Sequence, residues 1–173
     1  MINNIFEINC ITIKIENWKQ KKTKILKLLE NYPEYKYEIF STNRHKSRTD
    51  LGRRFSSIIK EDLSKISFET KLNFKMKECW SVTYKKYEYH NVHNHGSKGF
   101  SAILYLEYNP KIHSPTYYVC PFNNPIDDRS LQCESNAVEG DLVCTPSYLM
   151  HFTHPNKSSK PKRIIAFDFQ LYS

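Results

Sequence analysis

The feature that most limits the fold is a change of hydrophobic period after Ser67. Before it, apolar residues recur at three- and four-residue intervals, which predicts helices, and after it they alternate with polar residues, which predicts strands. The strand-like segments are KLNFKMKECWSVTYKKYEYH, GFSAILYLEY, TYYVCPF, GDLVCTP, LMHFTH and RIIAFDFQLY. Because these segments are short and are separated by turn sequences such as NNP and EGD, they predict an antiparallel sandwich or barrel.

The N-terminal part adds one strand and two helices to this picture. ITIKI alternates like a strand, a helix follows with Asn17 as its cap, and Pro33 ends that helix. TNRHKSRTD is predicted to be a polar connection, and a second helix is predicted from Asp50 to Ile66. The fold class is therefore mainly β with N-terminal helices. We expect one domain over residues 1–173, in which residues 1–70 pack on a β core formed by residues 71–173.

Composition excludes several classes of protein. With 39% hydrophobic and 14% aromatic residues, the chain has a globular rather than a disordered composition. No apolar run is long enough for a bilayer, so no membrane partner is expected, and the N-terminus does not resemble a secretory signal. Five scattered cysteines without a C-x-x-C pair disfavour a zinc ribbon or a disulfide framework. These features predict a cytoplasmic protein, in a host cell if the source is viral.

Positive charge is concentrated in the N-terminal part. Residues 1–77 contain 17 Lys and Arg against 9 Asp and Glu, whereas residues 78–173 contain 9 of each. The basic segments KQKKTK, RHKSR and GRR could contact a nucleic acid or an acidic partner. The alternative is that a chain rich in Lys, Asn and Ile reflects only the coding bias of its genome.

Two histidine-rich stretches, YHNVHNHG and LMHFTHPN, suggest a metal site. His93 and His95 are two residues apart, so on a strand they point to the same face. His151 follows the GDLVCTP strand, and three histidines on one side of a metal would leave positions for a co-substrate and for oxygen, as in non-haem iron sites. Arg163 begins the last predicted strand and could hold the carboxylate of such a co-substrate.

Three pieces of the chain resemble the iron(II)/2-oxoglutarate-dependent dioxygenases, and most closely the compact versions common in phages and marine bacteria. The pieces are VHNHGSKGFSAILYLEYNP, EGDLVCTPSYLMHFTHPN and KRIIAFDFQL. The resemblance implies a double-stranded β-helix, which is a jelly-roll, cupin-like core flanked by N-terminal helices. It also implies Fe(2+), 2-oxoglutarate as co-substrate, and O2, with hydroxylation of a substrate and release of succinate and CO2.

The resemblance also assigns roles to single residues. His93 resembles the proximal metal ligand, and His151 resembles the distal one because it follows a Pro-Ser turn and a Leu-Met pair. Arg163 resembles the arginine that binds the far carboxylate of 2-oxoglutarate. Tyr84 or Tyr105 could donate a hydrogen bond to the same carboxylate.

The departure from the family pattern is at His95, where the usual motif has Asp or Glu. A neutral imidazole there gives a catalytic metal site of three histidines, His93, His95 and His151. Two alternatives remain open. His90 could be the ligand in place of His95, or His95 could lie behind the ligands with a water in the third position. His154 and His113 are expected outside the site, because His154 points to the opposite strand face from His151 and His113 lies in a turn.

The sequence does not specify the substrate, and the expected partner is an unknown protein or nucleic acid. The alternative function is a cupin-like three-histidine metal protein that does not use 2-oxoglutarate. We expect the position of Arg163 to separate the two functions, because Arg163 must face the metal in the oxygenase and need not do so in a cupin-like site. The oligomeric state is not predicted.

Overall fold

The described part of the chain has three helices, which precede the main strands in the sequence and pack on one face of a sheet. The computed structural model describes residues 8, 10–32, 34–37, 42–45 and 49–173. Helix α1 spans Trp18–Leu29, α2 spans Thr49–Ile58 and α3 spans Lys60–Thr70. Asn17 is the N-cap residue of α1, but its side chain makes no capping hydrogen bond, and its carbonyl oxygen instead accepts bonds from the amides of Gln20 and Lys21. Pro33 lies outside the described residues.

The second predicted helix is divided in two. Ile59 has φ −112° and ψ 23°, which lies outside the helical region and separates α2 from α3. Phe55, Ile59, Leu63 and Ile66 are nevertheless all buried in one core. The apolar spacing is therefore preserved across the break, and the periodicity did not reveal it.

Eleven strands in the described part of the chain form two antiparallel sheets. Their bounds are β1 Ile11–Lys14, β2 Glu34–Tyr37, β3 Thr42–His45, β4 Asn73–Tyr84, β5 His90–His93, β6 Phe100–Glu107, β7 Tyr117–Asn123, β8 Ser130–Glu134, β9 Asp141–Pro146, β10 His151–Thr153 and β11 Lys162–Tyr172. The seven-stranded sheet has the order β1-β9-β6-β11-β4-β3-β2, and the four-stranded sheet has the order β5-β10-β7-β8. Mainly β structure with N-terminal helices and a double-stranded β-helix core is confirmed.

Three of these strands, β2, β3 and β8, were not predicted. The segment expected to be a polar connection contains β3, which pairs with β2 and β4, and the end of that segment, residues 46–48, lies outside the described residues. β8 is exposed along its whole length and pairs only with β7. The polar sequence of β3 and the exposure of β8 explain why neither shows the alternation that marks a half-buried strand.

The seven-stranded sheet has a different core on each face. Ile25 and Phe55 of the helices pack with Leu104 and Phe167 on one face. On the other face, between the two sheets, Trp80, Tyr105 and Val143 pack with Ile164 and Ala166. The alternation of β11 therefore decides which of its residues face the space between the sheets, because successive side chains point to opposite faces.

None of the helices in the described residues has the length and apolar character needed to span a bilayer. The prediction that residues 1–173 form a single domain, with a division near residue 70, stays a prediction.

Candidate metal centre

Strand pairing and one loop bring three histidines together. His93 ends β5 and is opposite His151, the first residue of β10, in the antiparallel register. His95 lies in the loop after β5, and its amide donates to the carbonyl oxygen of Ser147 at 2.9 Å. One ring nitrogen of each histidine lies within 4.8 Å of those of the other two, which is close enough for one metal ion.

The second ring nitrogen of each histidine has a fixed hydrogen bond. Nδ1 of His93 is 2.7 Å from the carbonyl oxygen of Asn91, and Nδ1 of His151 is 3.0 Å from that of Leu149. Nδ1 of His95 is 2.7 Å from Oδ1 of Asp168. Because a carbonyl or carboxylate oxygen accepts, each Nδ1 carries the hydrogen, and the lone pair of the neutral ring is on Nε2. The three rings thus have the tautomer that a metal needs.

Asp168 places a carboxylate directly behind His95. Its Oδ1 also accepts a hydrogen bond from the hydroxyl of Ser101 at 2.9 Å, and the Trp80 ring stacks on His95 with centroids 5.4 Å apart. The sequence analysis missed Asp168. The available signal was an acidic residue between Phe167 and Phe169, inside an otherwise apolar strand.

Burial keeps His151 neutral. Desolvation, followed by the neighbouring His93, lowers the pKa of His151 from 6.5 to about 3. An unprotonated imidazole is the form that binds a metal, so His151 stays available as a ligand through the neutral pH range.

The other histidines lie outside the cluster. His90 lines the same cavity, but its ring stacks on His93 at 4.3 Å between centroids, and its Nδ1 is hydrogen-bonded to the Tyr84 hydroxyl at 3.1 Å. The structure thus brings His95, rather than His90, into the group of three. His154 is exposed, and its ring contacts the rings of Tyr117 and Phe152. His113 lies in a loop but is buried, with its Nε2 against the carbonyl oxygen of Lys160.

Arg163 does not face this cavity, and the prediction for its position was wrong. It lies on the face of β11 opposite that of Ile164, a residue of the cavity wall. Its Nε donates to the Thr83 hydroxyl at 3.1 Å, and its two terminal nitrogens lie 3.7 Å from Glu34 and 3.5 Å from Glu107. The guanidinium is therefore paired with carboxylates of this chain, because the alternation of β11 turns it away from the histidines.

Lys162 occupies the position that was expected for Arg163. Its side chain is buried, and Nζ donates to the Ser114 carbonyl oxygen at 2.8 Å and to the Thr153 hydroxyl at 3.1 Å. Among the described residues, no carboxylate pairs with it. Desolvation lowers the pKa of Lys162 from 10.5 to about 7. A buried ammonium without a counter-ion is costly, so this position suits an anionic ligand.

The two tyrosines named from the sequence both lie next to Lys162. Nζ of Lys162 is 5.0 Å from the ring centroid of Tyr84 and 5.9 Å from that of Tyr105. Tyr84 lines the cavity that the histidines line, as does Thr153. Tyr105 is fully buried, and its hydroxyl donates to Thr116 at 2.9 Å. Lys162 does not itself line the cavity, but it lies directly behind Tyr84 and Thr153 at that end of it.

Comparisons with known proteins agree with this geometry. A family model for 2OG-Fe(II) oxygenases matches residues 78–168, while no curated protein sequence matches the chain. Among solved structures, the non-heme alpha ketoglutarate dependent carbocyclase SnoK from nogalamycin biosynthesis is similar, with a TM-score of 0.73 and 12% identity over 96% of this chain and 80% of that one.

Two further structures show the same fold. HygX from Streptomyces hygroscopicus, solved with nickel and 2-oxoglutarate bound, has a TM-score of 0.71 and 15% identity, covering 94% of this chain and 83% of its own. A prolyl-4-hydroxylase from Pseudomonas putida has a TM-score of 0.63 and 13% identity, covering 94% and 92%. At these identities the likeness concerns the fold alone.

Proposed function

The chain belongs to the 2OG-Fe(II) oxygenase family, and from this premise we propose that His93, His95 and His151 hold its iron. As a family member it is a 2-oxoglutarate-dependent dioxygenase, which uses Fe(2+), 2-oxoglutarate and O2. Family membership excludes the alternative of a cupin-like protein without 2-oxoglutarate, whereas the position of Arg163, which faces away from the histidines, did not separate the two functions. The observation that carries the assignment is the set of three imidazoles, each with its Nδ1 held by an oxygen acceptor. The narrower likeness to phage and marine bacterial proteins stays a prediction.

The donor set fits iron(II). Imidazole nitrogen is a common ligand of non-haem iron, and three ligands on one side leave room for a chelating co-substrate. The family usually supplies one carboxylate to the metal. Here Asp168 supplies that negative charge through the hydrogen bond to His95 rather than by direct contact.

Lys162 is the residue that we propose for the far carboxylate of 2-oxoglutarate. Its support is a buried cation at the end of the cavity, with only two neutral acceptors, Ser114 and Thr153. Tyr84 lies beside it, but its hydroxyl is already hydrogen-bonded to Nδ1 of His90 at 3.1 Å, and the Tyr105 hydroxyl donates to Thr116, so neither tyrosine is needed for the assignment. Arg163, with two carboxylates of its own, is not proposed for this role.

Bound iron with 2-oxoglutarate and O2 would supply the oxidant, with release of succinate and CO2. The protein determines which part of the substrate is held next to that oxidant. We propose that the substrate reaction is hydroxylation of a C–H bond. Trp80, Val82, Ile164 and Ala166 give the cavity apolar walls, which limit the access of water to the reacting groups.

The protein or nucleic-acid substrate expected from the sequence stays a prediction, and its support is the basic N-terminal part. The structure weakens this support for a nucleic acid, because α1 and α2 pack on the face of the seven-stranded sheet opposite the histidines. Lys21 and Lys22 are also neutralised by ion pairs with Asp62 and Glu139. Residues 46–48 of the segment RHKSR lie outside the described residues.

The test is an anaerobic titration of the purified protein with iron(II) and then 2-oxoglutarate, followed by visible absorption. The wild type should develop a weak charge-transfer band. His151→Ala should lose the band because iron is lost. Lys162→Met should bind iron but need about 10- to 100-fold more 2-oxoglutarate, since a charge-assisted hydrogen bond is removed.

Arg163→Met is the matched control, because it removes a cation from the neighbouring position of the same strand. We expect its 2-oxoglutarate titration to follow that of the wild type. If Arg163→Met weakened binding and Lys162→Met did not, the assignment of the two cations would have to be exchanged. A wild-type protein that binds iron without any band would contradict chelation at this centre.

A further inference from the structure

A second cavity, here called the side cleft, opens between the two sheets next to the metal centre. Its volume is about 700 Å³, and its lining includes Cys10, Tyr118, Leu131, Cys133, Val143 and Thr145. It lies where the two sheets end, because β1 is the last strand of one sheet and β8 is the last strand of the other. In the described residues these two edge strands pair only with β9 and β7, so no described strand joins the two sheets on this side.

The walls of the side cleft are mainly apolar. Leu131, Val143 and Leu149 line it together with Ala137, and most of its lining surface is apolar, although polar side chains of residues 134–136 also lie along it. Cavities of this size and character usually bind small organic molecules, with a small number of polar groups that fix the orientation of the ligand.

Tyr118 connects the side cleft to the metal centre. It lines the cleft, and its ring centroid lies 6.1 Å from that of His151. Thr145 lines both the side cleft and the cavity of the histidines. A molecule in the side cleft would therefore be separated from the metal ligands by little more than one aromatic ring.

The hydroxyl of Tyr118 is a buried group that lacks a partner. It is the one buried side-chain N or O atom in the described part of the chain without a hydrogen bond. Burial, and after it the nearby Tyr105, Cys10 and other thiols, raises the pKa of Tyr118 well above 10, so the hydroxyl keeps its proton. Buried donors are almost always satisfied, and an exception calls for a bound group.

We propose that the side cleft binds the organic substrate, and that this substrate is a small, largely apolar molecule with an oxygen acceptor for the Tyr118 hydroxyl. The inference rests on the proposed function and names the substrate class of that enzyme. The apolar walls favour an apolar molecular framework, and the buried Tyr118 hydroxyl that lacks a hydrogen bond favours one carbonyl or ether oxygen. A protein or nucleic-acid substrate is the competing outcome.

The test compares two probes of similar shape, acetophenone and ethylbenzene, by ligand-observed NMR on the full-length protein without metal. The wild type should bind acetophenone about fivefold more tightly, because only its carbonyl oxygen accepts the hydrogen bond. Tyr118→Phe should bind both probes equally. Tyr117→Phe is the matched control and should keep the preference, because Tyr117 lies on the other strand face, where it stacks on Phe152.

A second variant and a second measurement complete the test. Leu131→Trp should weaken both probes by filling the cleft, and Leu131 is exposed enough to accept the larger ring. With Mn²⁺ in place of iron, the protons of bound acetophenone should relax faster than with Zn²⁺. If neither probe binds, or if Tyr118→Phe keeps the preference, the side cleft does not have this role, and a polypeptide or nucleic-acid substrate is favoured.

The metal measurement separates the two proposals. Binding of the probes with equal relaxation in both metal forms would place the side cleft too far from the metal and overturn its role as a substrate site. If no Mn²⁺ binds at all, the proposed iron site has failed. The probe preference in the metal-free protein would then still decide whether the side cleft recognises this class of molecule.

Discussion

At the scale of single residues, the candidate metal centre differs from the usual family motif in the position of its carboxylate. The usual Asp or Glu is replaced by His95, and Asp168 holds the Nδ1 hydrogen of that histidine at 2.7 Å. A carboxylate behind an imidazole increases its basicity and fixes its orientation. In the proposed iron site, two side chains would thus take over the functions that one carboxylate has in the common motif.

Asp168→Asn tests this arrangement. The substitution keeps the shape of the side chain but removes its charge, so we expect iron(II) affinity to fall about 10- to 100-fold while the fold persists. Competition with a chelator under anaerobic conditions measures the affinity. Asp127→Asn is the control for net charge, because Asp127 is exposed in the loop before β8. Equal affinities for the two variants would mean that Asp168 has no influence on the metal.

Lys162 predicts a pH dependence of 2-oxoglutarate binding. Burial lowers its pKa from 10.5 to about 7, so in the ligand-free protein it is charged below pH 7 and loses its charge above. The carboxylate binds the charged form and raises the pKa in the complex. Affinity should therefore be highest below pH 7 and fall by up to about tenfold per pH unit above it.

Dissociation constants at pH 6.5, 7.5 and 8.5 check this prediction. Lys162→Met has the same three histidines, so the difference between its pH profile and that of the wild type isolates the lysine. Parallel profiles would show that proton binding by Lys162 is not linked to 2-oxoglutarate.

At the scale of elements, the link between β5 and β6 positions His95. The amide of Ser147 donates to the carbonyl oxygen of Gly99 at 3.0 Å, and the amide of His95 donates to the carbonyl oxygen of Ser147 at 2.9 Å. Gly99 has φ 88° and a Cβ there would lie 2.7 Å from the Phe169 carbonyl oxygen. Only glycine permits this close approach of the link to β11.

Gly99→Ala should lower the free energy of unfolding by about 2 kcal/mol more than Gly96→Ala. Both positions have positive φ, but a Cβ at Gly96 meets nothing within 4 Å, so the pair separates the steric contact from backbone strain. Urea denaturation of the metal-free proteins gives the two values. Similar losses in both variants would show that the link can move away from β11.

Elements with one buried face were predictable, and those at the edges were not. β6 and β11 show the alternation or apolar runs expected of strands inside a sheet. β3 and β8 lie near or at the end of a sheet and show no such pattern. The histidines followed from their spacing. Lys162 and Asp168 did not, because the sequence does not specify which alternate residues of β11 face the metal.

At the scale of the whole molecule, the seven-stranded sheet separates two environments. The helices and the exposed cations Lys24, Lys27 and Arg54 lie on one side, with the helix core between them and the sheet. The metal centre and the side cleft lie on the other, between the sheets. The net charge of the chain therefore gives little information about the substrate, although the sequence analysis linked the basic N-terminal part to a nucleic acid or an acidic partner.

The register of β11 has a consequence for how this centre can change. Lys162 and Asp168 lie on the same face of one strand, and β11 is paired on both sides, with β4 and with β6. Deletion of one residue between them would leave one end in place and turn the other to the opposite face. The cation proposed for 2-oxoglutarate and the carboxylate behind His95 are thus coupled through the register of one strand. Substitutions can change either group alone, but insertion or deletion of a single residue between them cannot keep both on the cavity face.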